Sequence, residues 1–269
     1  TLSFLSMTLY MFFAAADFST HLGRVDYSTF SQHTLIEILC DGIENKERLS
    51  KSAEDPTSIS HWKNITLNDN EDVTRIEWAR LSLKGSVALQ WVPRGVVLLN
   101  VLSNELSGEI DLTMLPPTLE FLNLSVNHFS GSLNLTLLPQ SLHKMYVSVN
   151  DLTGSLNLES LPASLIHLGL AENHFSGSLT LKKLPEALEH LWVDGNSLSG
   201  TLDLTSLPES LEILHLHDNG FHGEVDFRHL PKKLNDINVS DTKLSGTIQA
   251  PSYYFNIHTC GSDVVIVTE

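Results

Sequence analysis

Cysteine is scarce in this sequence, since its 269 residues include only Cys40 and Cys260. The repeats described below separate the two, and eight stacked strands at about 4.8 Å spacing would hold their ends about 35 Å apart. A disulfide needs Cα atoms within about 7 Å of each other. We therefore expect no disulfide, and cysteine content neither supports nor excludes an oxidising compartment.

Basic residues are also few. There are 16 Lys and Arg against 32 Asp and Glu, so the formal net charge is −16. This balance argues against nucleic acid and anionic membrane surfaces as partners and favours a basic partner. The same acidity is typical of a soluble monomer without a charged partner, and a monomer is what we expect.

Catalytic motifs are absent. The sequence contains no G-x-S-x-G, no H-E-x-x-H, no P-loop and no glycine-rich kinase loop. Ser-Gly pairs recur, but they are turn residues rather than nucleophiles. We therefore predict no enzymatic activity, no catalytic residue and no cofactor.

The apolar run LSFLSMTLYMFFAAA over residues 2–16 is shorter than the about 20 residues that a membrane-spanning helix needs. Its length and its Ala-Ala-Ala end are typical of a signal-peptide core and cleavage site, although no positively charged segment precedes it. The alternative is a helix or strand packed beneath the first repeats. The first interpretation predicts a secreted or cell-surface protein, and the second is compatible with an intracellular one.

What the sequence does contain is a repeat. Gly108 and Gly131 are 23 residues apart, and the same step recurs without slippage. It leads on to Gly154, Gly177, Gly200, Gly223 and Gly246. Gly85 marks a degenerate first unit. A fixed period of this size predicts a solenoid, here eight units over residues 69–252 that form a mostly β fold.

Each unit contains the pattern LxxLxLxxN. Leu122 and Leu124 alternate with Phe121, Asn123 and Ser125, as in a strand with one buried face. An asparagine then stands where the chain must turn, and its amide can bond the backbone of that turn. Stacking predicts an asparagine ladder of Asn104, Asn127, Asn150, Asn173, Asn196 and Asn219.

The second half of each unit is also apolar. Alternating leucine and phenylalanine predicts an inner spine of Leu106, Phe129, Leu152, Phe175, Leu198, Phe221 and Leu244. Leucine pairs predict a second short strand on the convex side, at Leu133/Leu135, Leu156/Leu158, Leu179/Leu181 and Leu202/Leu204. The Leu-Pro step that closes each unit disfavours helix, so we expect an extended convex side.

These motifs resemble leucine-rich repeats, LxxLxLxxNxLSGxL, over about residues 57–252. The LSG signature is similar to that of plant receptor-kinase ectodomains and polygalacturonase-inhibitor proteins. The 23-residue LPxSL variant is similar to protozoan surface-antigen and proteophosphoglycan-like proteins. The chain differs from the plant type in having Leu-x-Leu after the glycine and in lacking the paired cysteines of the N-terminal cap. The resemblance implies parallel strands on a concave face that recognises ligands.

Both ends of the array are expected to be capped. Thr34 and Glu37 have capping-box spacing and apolar residues follow at helical intervals, which predicts a helix over about residues 31–49. It belongs to an N-terminal capping region, residues 17–68, that would cover the open first repeat. Residues 253–269 are rich in aromatic and β-branched residues and would supply strands for a C-terminal cap.

Function is expected on the strand residues that face away from the core. The distinctive ones are Tyr146, His167, His190, Trp192, Asp194, His215, His217 and Asp218. Trp and Tyr are typical of binding hot spots, so we predict a surface for a protein, peptide or glycan, centred on Trp192. One alternative is a solvated face whose aromatics only pack against each other. Another is an intracellular scaffold that docks through its helix or its acidic surface.

His190, His215, His217 and Asp194 are also residue types that bind zinc. Side chains two residues apart on a flat strand should point in parallel rather than converge, so we predict no metal site. Histidines that titrate near neutral pH would instead make ligand binding pH-dependent.

Four sequons provide candidate glycosylation sites if the chain is secreted. Their asparagines are Asn64, Asn123, Asn134 and Asn238. The repeat is rich in Asn, Ser and Thr, so chance is an adequate alternative explanation. Asn123 and Asn238 are expected on the concave face, where a glycan would obstruct a ligand.

Overall fold

A computed structural model describes residues 30–50, 59, 62–250 and 256–268. The predicted signal segment, residues 2–16, lies outside these residues, and so does the beginning of the predicted C-terminal cap. None of the helices in the described part of the chain has the length and apolarity that a membrane span requires.

The dominant elements are short strands, two from each repeat. In chain order they are β1 (Ile65–Leu67), β2 (Val73–Glu77), β3 (Lys84–Gly85), β4 (Leu98–Asn100), β5 (Glu105–Glu109), β6 (Phe121–Asn123), β7 (His128–Ser132), β8 (Lys144–Tyr146), β9 (Asp151–Gly154), β10 (His167–Gly169), β11 (His174–Ser178), β12 (His190–Trp192), β13 (Ser197–Gly200), β14 (Ile213–His215), β15 (Gly220–Glu224), β16 (Asp236–Asn238), β17 (Lys243–Ala250), β18 (Asn256–His258) and β19 (Asp263–Thr268).

These strands form two sheets. The ten-stranded front sheet has the order β1-β2-β4-β6-β8-β10-β12-β14-β16-β18, and the nine-stranded back sheet runs from β3 through the odd-numbered strands to β19. β1 pairs antiparallel with β2, whereas the repeat strands pair in parallel. In the front sheet each repeat residue lies opposite its equivalent in the next unit, and in the back sheet the paired repeat residues are 21 positions apart. Leu122, for example, lies opposite Met145, one period of 23 residues away. The predicted solenoid is confirmed.

The core lies between the two sheets. The inward residues of the front strands, such as Leu122, Met145 and Leu168, are buried, and so is every member of the predicted inner spine. Because each repeat covers only its neighbours, the core is continuous along the array.

The asparagine ladder is confirmed. Oδ1 of Asn127 accepts a hydrogen bond from the backbone N–H of Leu106 at 3.1 Å, and Nδ2 donates to the carbonyls of Val101 and Leu124 at the same distance. Each asparagine therefore joins its own turn to the preceding repeat. At the far end Thr242 replaces asparagine and its hydroxyl donates to the carbonyl of Val239.

The second strand is not where we predicted it. It occupies the segment around each Ser-Gly pair, as in β7, and ends before Leu133 and Leu135. Asn134, between the two leucines, accepts from the backbone N–H of Thr136 and caps a short 3-10 turn. Asp111, Asn157, Asp203 and Asp226 accept in the same way at their own positions. These side chains turn the backbone out of the extended conformation, although both leucines stay buried.

The N-terminal helix is shorter than predicted. The helix α1 covers Gln32–Leu39 rather than residues 31–49, and Thr34 lies inside it rather than at its N-cap. A separate 3-10 turn follows at Lys46–Arg48. The chain leaves α1 because its next residues pair with the first repeat, where the carbonyl of Gly42 accepts from the N–H of Ser86 at 2.9 Å.

The cysteines are unpaired, as predicted. Cys40 is a buried free thiol and Cys260 is an exposed one. The Cys40 thiol donates to the carbonyl of Ile36, and burial raises its pKa to about 12, so it is an unreactive core group.

Candidate functional site

Two rows of outward-facing side chains cross the front sheet as predicted. One row pairs Lys144, His167, His190, Ile213 and Asp236 on consecutive strands. The second, two residues further along each strand, pairs Tyr146, Gly169, Trp192, His215 and Asn238. The sheet thus brings the predicted site residues together from four repeats.

Four of them form an aromatic cluster: Tyr146, His167, His190 and Trp192. The rings of His167 and His190 stack with centroids 4.1 Å apart, and the ring of Trp192 meets that of His190 edge-on at 5.1 Å. Tyr146 lies 6.2 Å from Trp192, although a whole strand separates them. All four side chains are half-buried on an open face.

Gly169 makes this contact across a strand feasible, and we did not single it out from the sequence. It lies between Tyr146 and Trp192 in the second row. A Cβ added to Gly169 would lie 3.0 Å from Cδ1 of Tyr146, so the phenol ring occupies the space of the missing side chain. The sequence indicated this contact only by a single glycine in a row of larger residues.

Hydrogen bonding and burial set the charge of the cluster. The hydroxyl of Tyr146 lies 2.6 Å from Nδ1 of His167. Burial lowers the pKa of His167 to about 4, helped by the charges of His190 and Lys144 and opposed by Glu189. Burial also lowers the pKa of His190 and raises that of Tyr146. Both imidazoles are therefore neutral at pH 7, and the hypothesis that histidines of this face make binding pH-dependent stays a prediction.

The low pKa of His167 makes a testable contribution to stability. Between its ordinary value of 6.5 and about 4, the unfolded chain binds a proton that the folded protein does not. The free energy of unfolding should therefore fall as pH decreases through that window, and should be insensitive to this group above it. At about 1.4 kcal/mol per pKa unit, reduced for solvent screening, the loss should be about 2 kcal/mol.

The measurement is urea unfolding of wild type and His167→Gln at pH 7 and pH 4. The stability of wild type should fall further than that of the variant. His174→Gln is the control, because its ring on the back sheet is 66% exposed. Parallel pH curves for wild type and His167→Gln would contradict the assignment.

A second group, Asp194, His215 and His217, lies beside the cluster. Nε2 of His217 is 3.6 Å from Oδ2 of Asp194, and Nε2 of His215 is 3.1 Å from Oδ1 of Asp236. The two rings are not parallel, since their planes make an angle of 71° with centroids 5.7 Å apart. Asp194 belongs to the preceding repeat and Asp236 to the following one, and each draws one ring towards itself. The rings of His215 and His217 are thus tilted against each other and turned towards different repeats.

The carboxylate of this group is largely buried, since the side chain of Asp194 is only 13% exposed. Burial raises its pKa, and the neighbouring charges of His217 and His215 oppose the shift. Asp218 is exposed and lies in the turn after β14 with φ of +50°, so it borders the group.

Acidic partners of the histidines were missed in the sequence. Nε2 of His167 is 3.6 Å from Oε2 of Glu189, and Nε2 of His190 is 3.9 Å from Oε2 of Glu212. Each acid follows its histidine by 22 residues, one fewer than the period. The acid therefore lies on the next repeat, one position before the residue that pairs with the histidine. That spacing was the feature of the sequence from which these acidic partners could have been predicted.

The sequon asparagines differ in exposure. Asn64 and Asn134 are exposed, whereas Asn123 and Asn238 are half-buried on the front sheet. Oδ1 of Asn123 accepts from the N–H of Ser125, and Asn238 makes the equivalent bond. Glycosylation at all four sites stays a prediction.

No family model and no curated protein sequence matches the chain. Solved structures do match it. The LRR ectodomain of the plant membrane receptor kinase GASSHO1/SCHENGEN3 from Arabidopsis thaliana, in complex with CASPARIAN STRIP INTEGRITY FACTOR 2, is 20% identical over 84% of this chain and 33% of that one, with a TM-score of 0.60. A TDR receptor is 27% identical over 65% of this chain and 32% of that one, with a TM-score of 0.53.

The Arabidopsis receptor kinase HAESA, in complex with the peptide hormone IDA and the co-receptor SERK1, is 20% identical over 81% of this chain and 46% of that one, with a TM-score of 0.51. The present chain spans about a third of the length of the first two structures. The likeness concerns the fold. Together with the 23-residue period and the asparagine ladder, it identifies the chain as a leucine-rich repeat solenoid.

Proposed function

We propose that this leucine-rich repeat solenoid is a non-catalytic recognition module that binds a protein or peptide ligand on its front sheet, the face predicted to be concave. The observation that carries the proposal is the aromatic cluster. Its rings are held by each other and by the hydrogen bond between Tyr146 and His167, so little side-chain entropy remains to be lost on binding. Partly exposed Trp and Tyr rings in a fixed arrangement are typical of binding hot spots.

The charges around the cluster favour a basic ligand. Both imidazoles are neutral near pH 7, while the carboxylates of Glu189 and Glu212 border the first row and that of Asp236 belongs to it. A lysine or arginine of the ligand would find acidic partners there and the face of Trp192 for a cation–π contact. The net charge of −16 would also speed the encounter with such a ligand.

Two of the similar structures contain a bound ligand. One is a complex with CASPARIAN STRIP INTEGRITY FACTOR 2 and the other a complex with a peptide hormone. Glycan binding is the alternative, because the same rings would pack against a sugar.

Selection from a random peptide library on immobilised wild-type protein tests the proposal. We expect enrichment of peptides rich in Lys and Arg, and at least about 30-fold weaker binding of those peptides by Trp192→Ala, as for a hot-spot residue worth about 2 kcal/mol. His174→Ala, on the back sheet, is the control and should bind like wild type. Failure to enrich any peptide, or equal affinity of Trp192→Ala, would contradict the proposal.

We also propose a secreted or cell-surface location, with an intracellular scaffold as the alternative. Mass spectrometry of protein from its natural source distinguishes them. Cleavage near Ala16 with glycan on the exposed Asn64 or Asn134 supports the first, whereas an uncleaved N-terminal segment without glycan supports the second.

A further inference from the structure

The group formed by Asp194, His215 and His217 on the front sheet contains buried polar atoms that lack a hydrogen-bond partner. Among the described residues, three buried side-chain nitrogen or oxygen atoms have no hydrogen-bond partner, and two of them are Oδ1 of Asp194 and Nδ1 of His217. Leaving such an atom unpaired costs about 1–3 kcal/mol. Buried polar groups of this kind usually have a partner, which is either protein, water or an ion.

We propose that Asp194, His215 and His217 bind a divalent transition-metal ion, with zinc as the ion that best fits them. Two imidazoles and one carboxylate are a ligand set that zinc accepts, whereas magnesium and calcium prefer oxygen ligands alone. This site is independent of whether the front sheet binds a peptide.

The distances are close to those of a formed site. One ligand atom from each of the three residues lies within 4.8 Å of the other two. Zinc–ligand distances of about 2.0–2.1 Å would put tetrahedral ligand atoms roughly 3.4 Å apart. The 3.6 Å between Nε2 of His217 and Oδ2 of Asp194 is close to that spacing, and the unpaired Nδ1 and Oδ1 are the second donor atoms of the same two side chains.

Ring orientation supports the same assignment. A metal ion bound by an imidazole lies in the plane of the ring, and the planes of His215 and His217, at 71° to each other, intersect. Asp236 holds the ring of His215 through Nε2, the kind of carboxylate contact that orients metal-binding histidines. Asp194, Asp218 and Asp236 place negative charge around the position, which a divalent cation would neutralise.

A neighbouring group of the same residue types lacks this geometry. His167, Glu189 and His190 also have ligand atoms within 4.8 Å of one another. Their two rings, however, are stacked at 4.1 Å and only 13° from parallel, so one ion cannot lie in both planes. Nδ1 of His167 is also engaged by the hydroxyl of Tyr146. The proposal therefore concerns Asp194, His215 and His217 alone.

Three protein ligands leave a fourth position open to water or to a donor atom of an incoming ligand. This position would lie on the front sheet beside the aromatic cluster. An ion there would add a fixed positive charge to a face that carries several carboxylates and Lys144.

The test is titration of the full chain with Zn²⁺ against a chromogenic chelator, with metal content measured after dialysis. We expect one zinc per chain, no competition from Mg²⁺ or Ca²⁺, and a higher unfolding temperature with zinc. His217→Ala and Asp194→Asn should each weaken zinc binding at least about 10-fold. Asp194→Asn preserves side-chain size, and an unchanged unfolding temperature in chelator shows that a variant is folded.

The matched control is His174→Ala, whose imidazole also faces an aspartate, Asp151, at 3.7 Å but on the exposed back sheet. It should keep wild-type zinc affinity. Absence of zinc binding, or unchanged affinity in both His217→Ala and Asp194→Asn, would overturn the proposal. Loss of zinc from His190→Ala but not from His217→Ala would also overturn it, because the ion would then belong to the stacked pair.

Discussion

Asn150→Ala is expected to destabilise the solenoid by about 2–4 kcal/mol, although it removes no apolar contact surface of note. The Asn150 amide accepts from the N–H of Phe129 at 3.0 Å and donates to the carbonyls of Leu124 and Val147 at 3.2 and 3.0 Å. All three backbone groups are buried in the join between two repeats. Alanine would leave the N–H of Phe129 unpaired, at about 1–3 kcal/mol. The carbonyls of Leu124 and Val147 would each lose one donor but keep the bonds from Asn127 and Asn173, at about 0.5–1.5 kcal/mol each.

Asn157→Ala is the matched control. This asparagine is exposed and accepts one bond, from the N–H of Glu159, which water can replace. It should cost at most about 1 kcal/mol. Urea unfolding followed by circular dichroism gives both values, and similar losses for the two variants would show that the ladder is not what joins the repeats.

Gly85→Ala should be the most damaging of the glycine substitutions at this repeat position. Gly85 and Gly177 have φ of +93° and +87°, so alanine at either costs about 1–2 kcal/mol in backbone strain. At Gly177 the new Cβ would meet only Cβ of Ser155 at 3.6 Å. At Gly85 it would overlap the carbonyl oxygen of Gly42, where the N-terminal cap pairs with the first repeat.

We therefore expect Gly85→Ala to lose at least about 2 kcal/mol more than Gly177→Ala, the cost of overpacking against a backbone atom. The free energy of unfolding of the two variants measures the difference. Limited proteolysis should also cut Gly85→Ala faster within residues 40–50, which pair with this strand. Equal stabilities would mean that the cap tolerates a shift away from the repeat.

The front sheet was predictable in detail from the sequence. Because the period never slips, residue 167 must lie opposite residue 190, and 169 opposite 192, as the strand pairing confirms. The asparagine ladder followed from the same period, since an amide that recurs at each turn stacks on the turn before it. Recognition by this face remains our proposal.

The back of each repeat was less predictable. Leu133 and Leu135 have the alternation of a strand, but Asn134 between them caps a turn, so the strand lies earlier. The helix near the N-terminus ends at Leu39 although apolar spacing continues, because Gly42 and Ile43 pair with a repeat more than 40 residues further along the chain. Neither competing interaction is visible in the local pattern.

The sequence by itself determined the eight 23-residue units, the register of the front sheet within them and the row in which each side chain lies, because an unbroken period permits only one way to stack. Only the tertiary structure shows that β18 and β19 continue both sheets beyond these units. The tertiary structure alone decided how those side chains rotate. His167 and His190 stack and stay neutral, whereas His215 and His217 turn towards carboxylates on opposite neighbouring repeats. Side-chain rotation depends on burial and on partners one repeat away, and neither is contained in the spacing of residues along one strand.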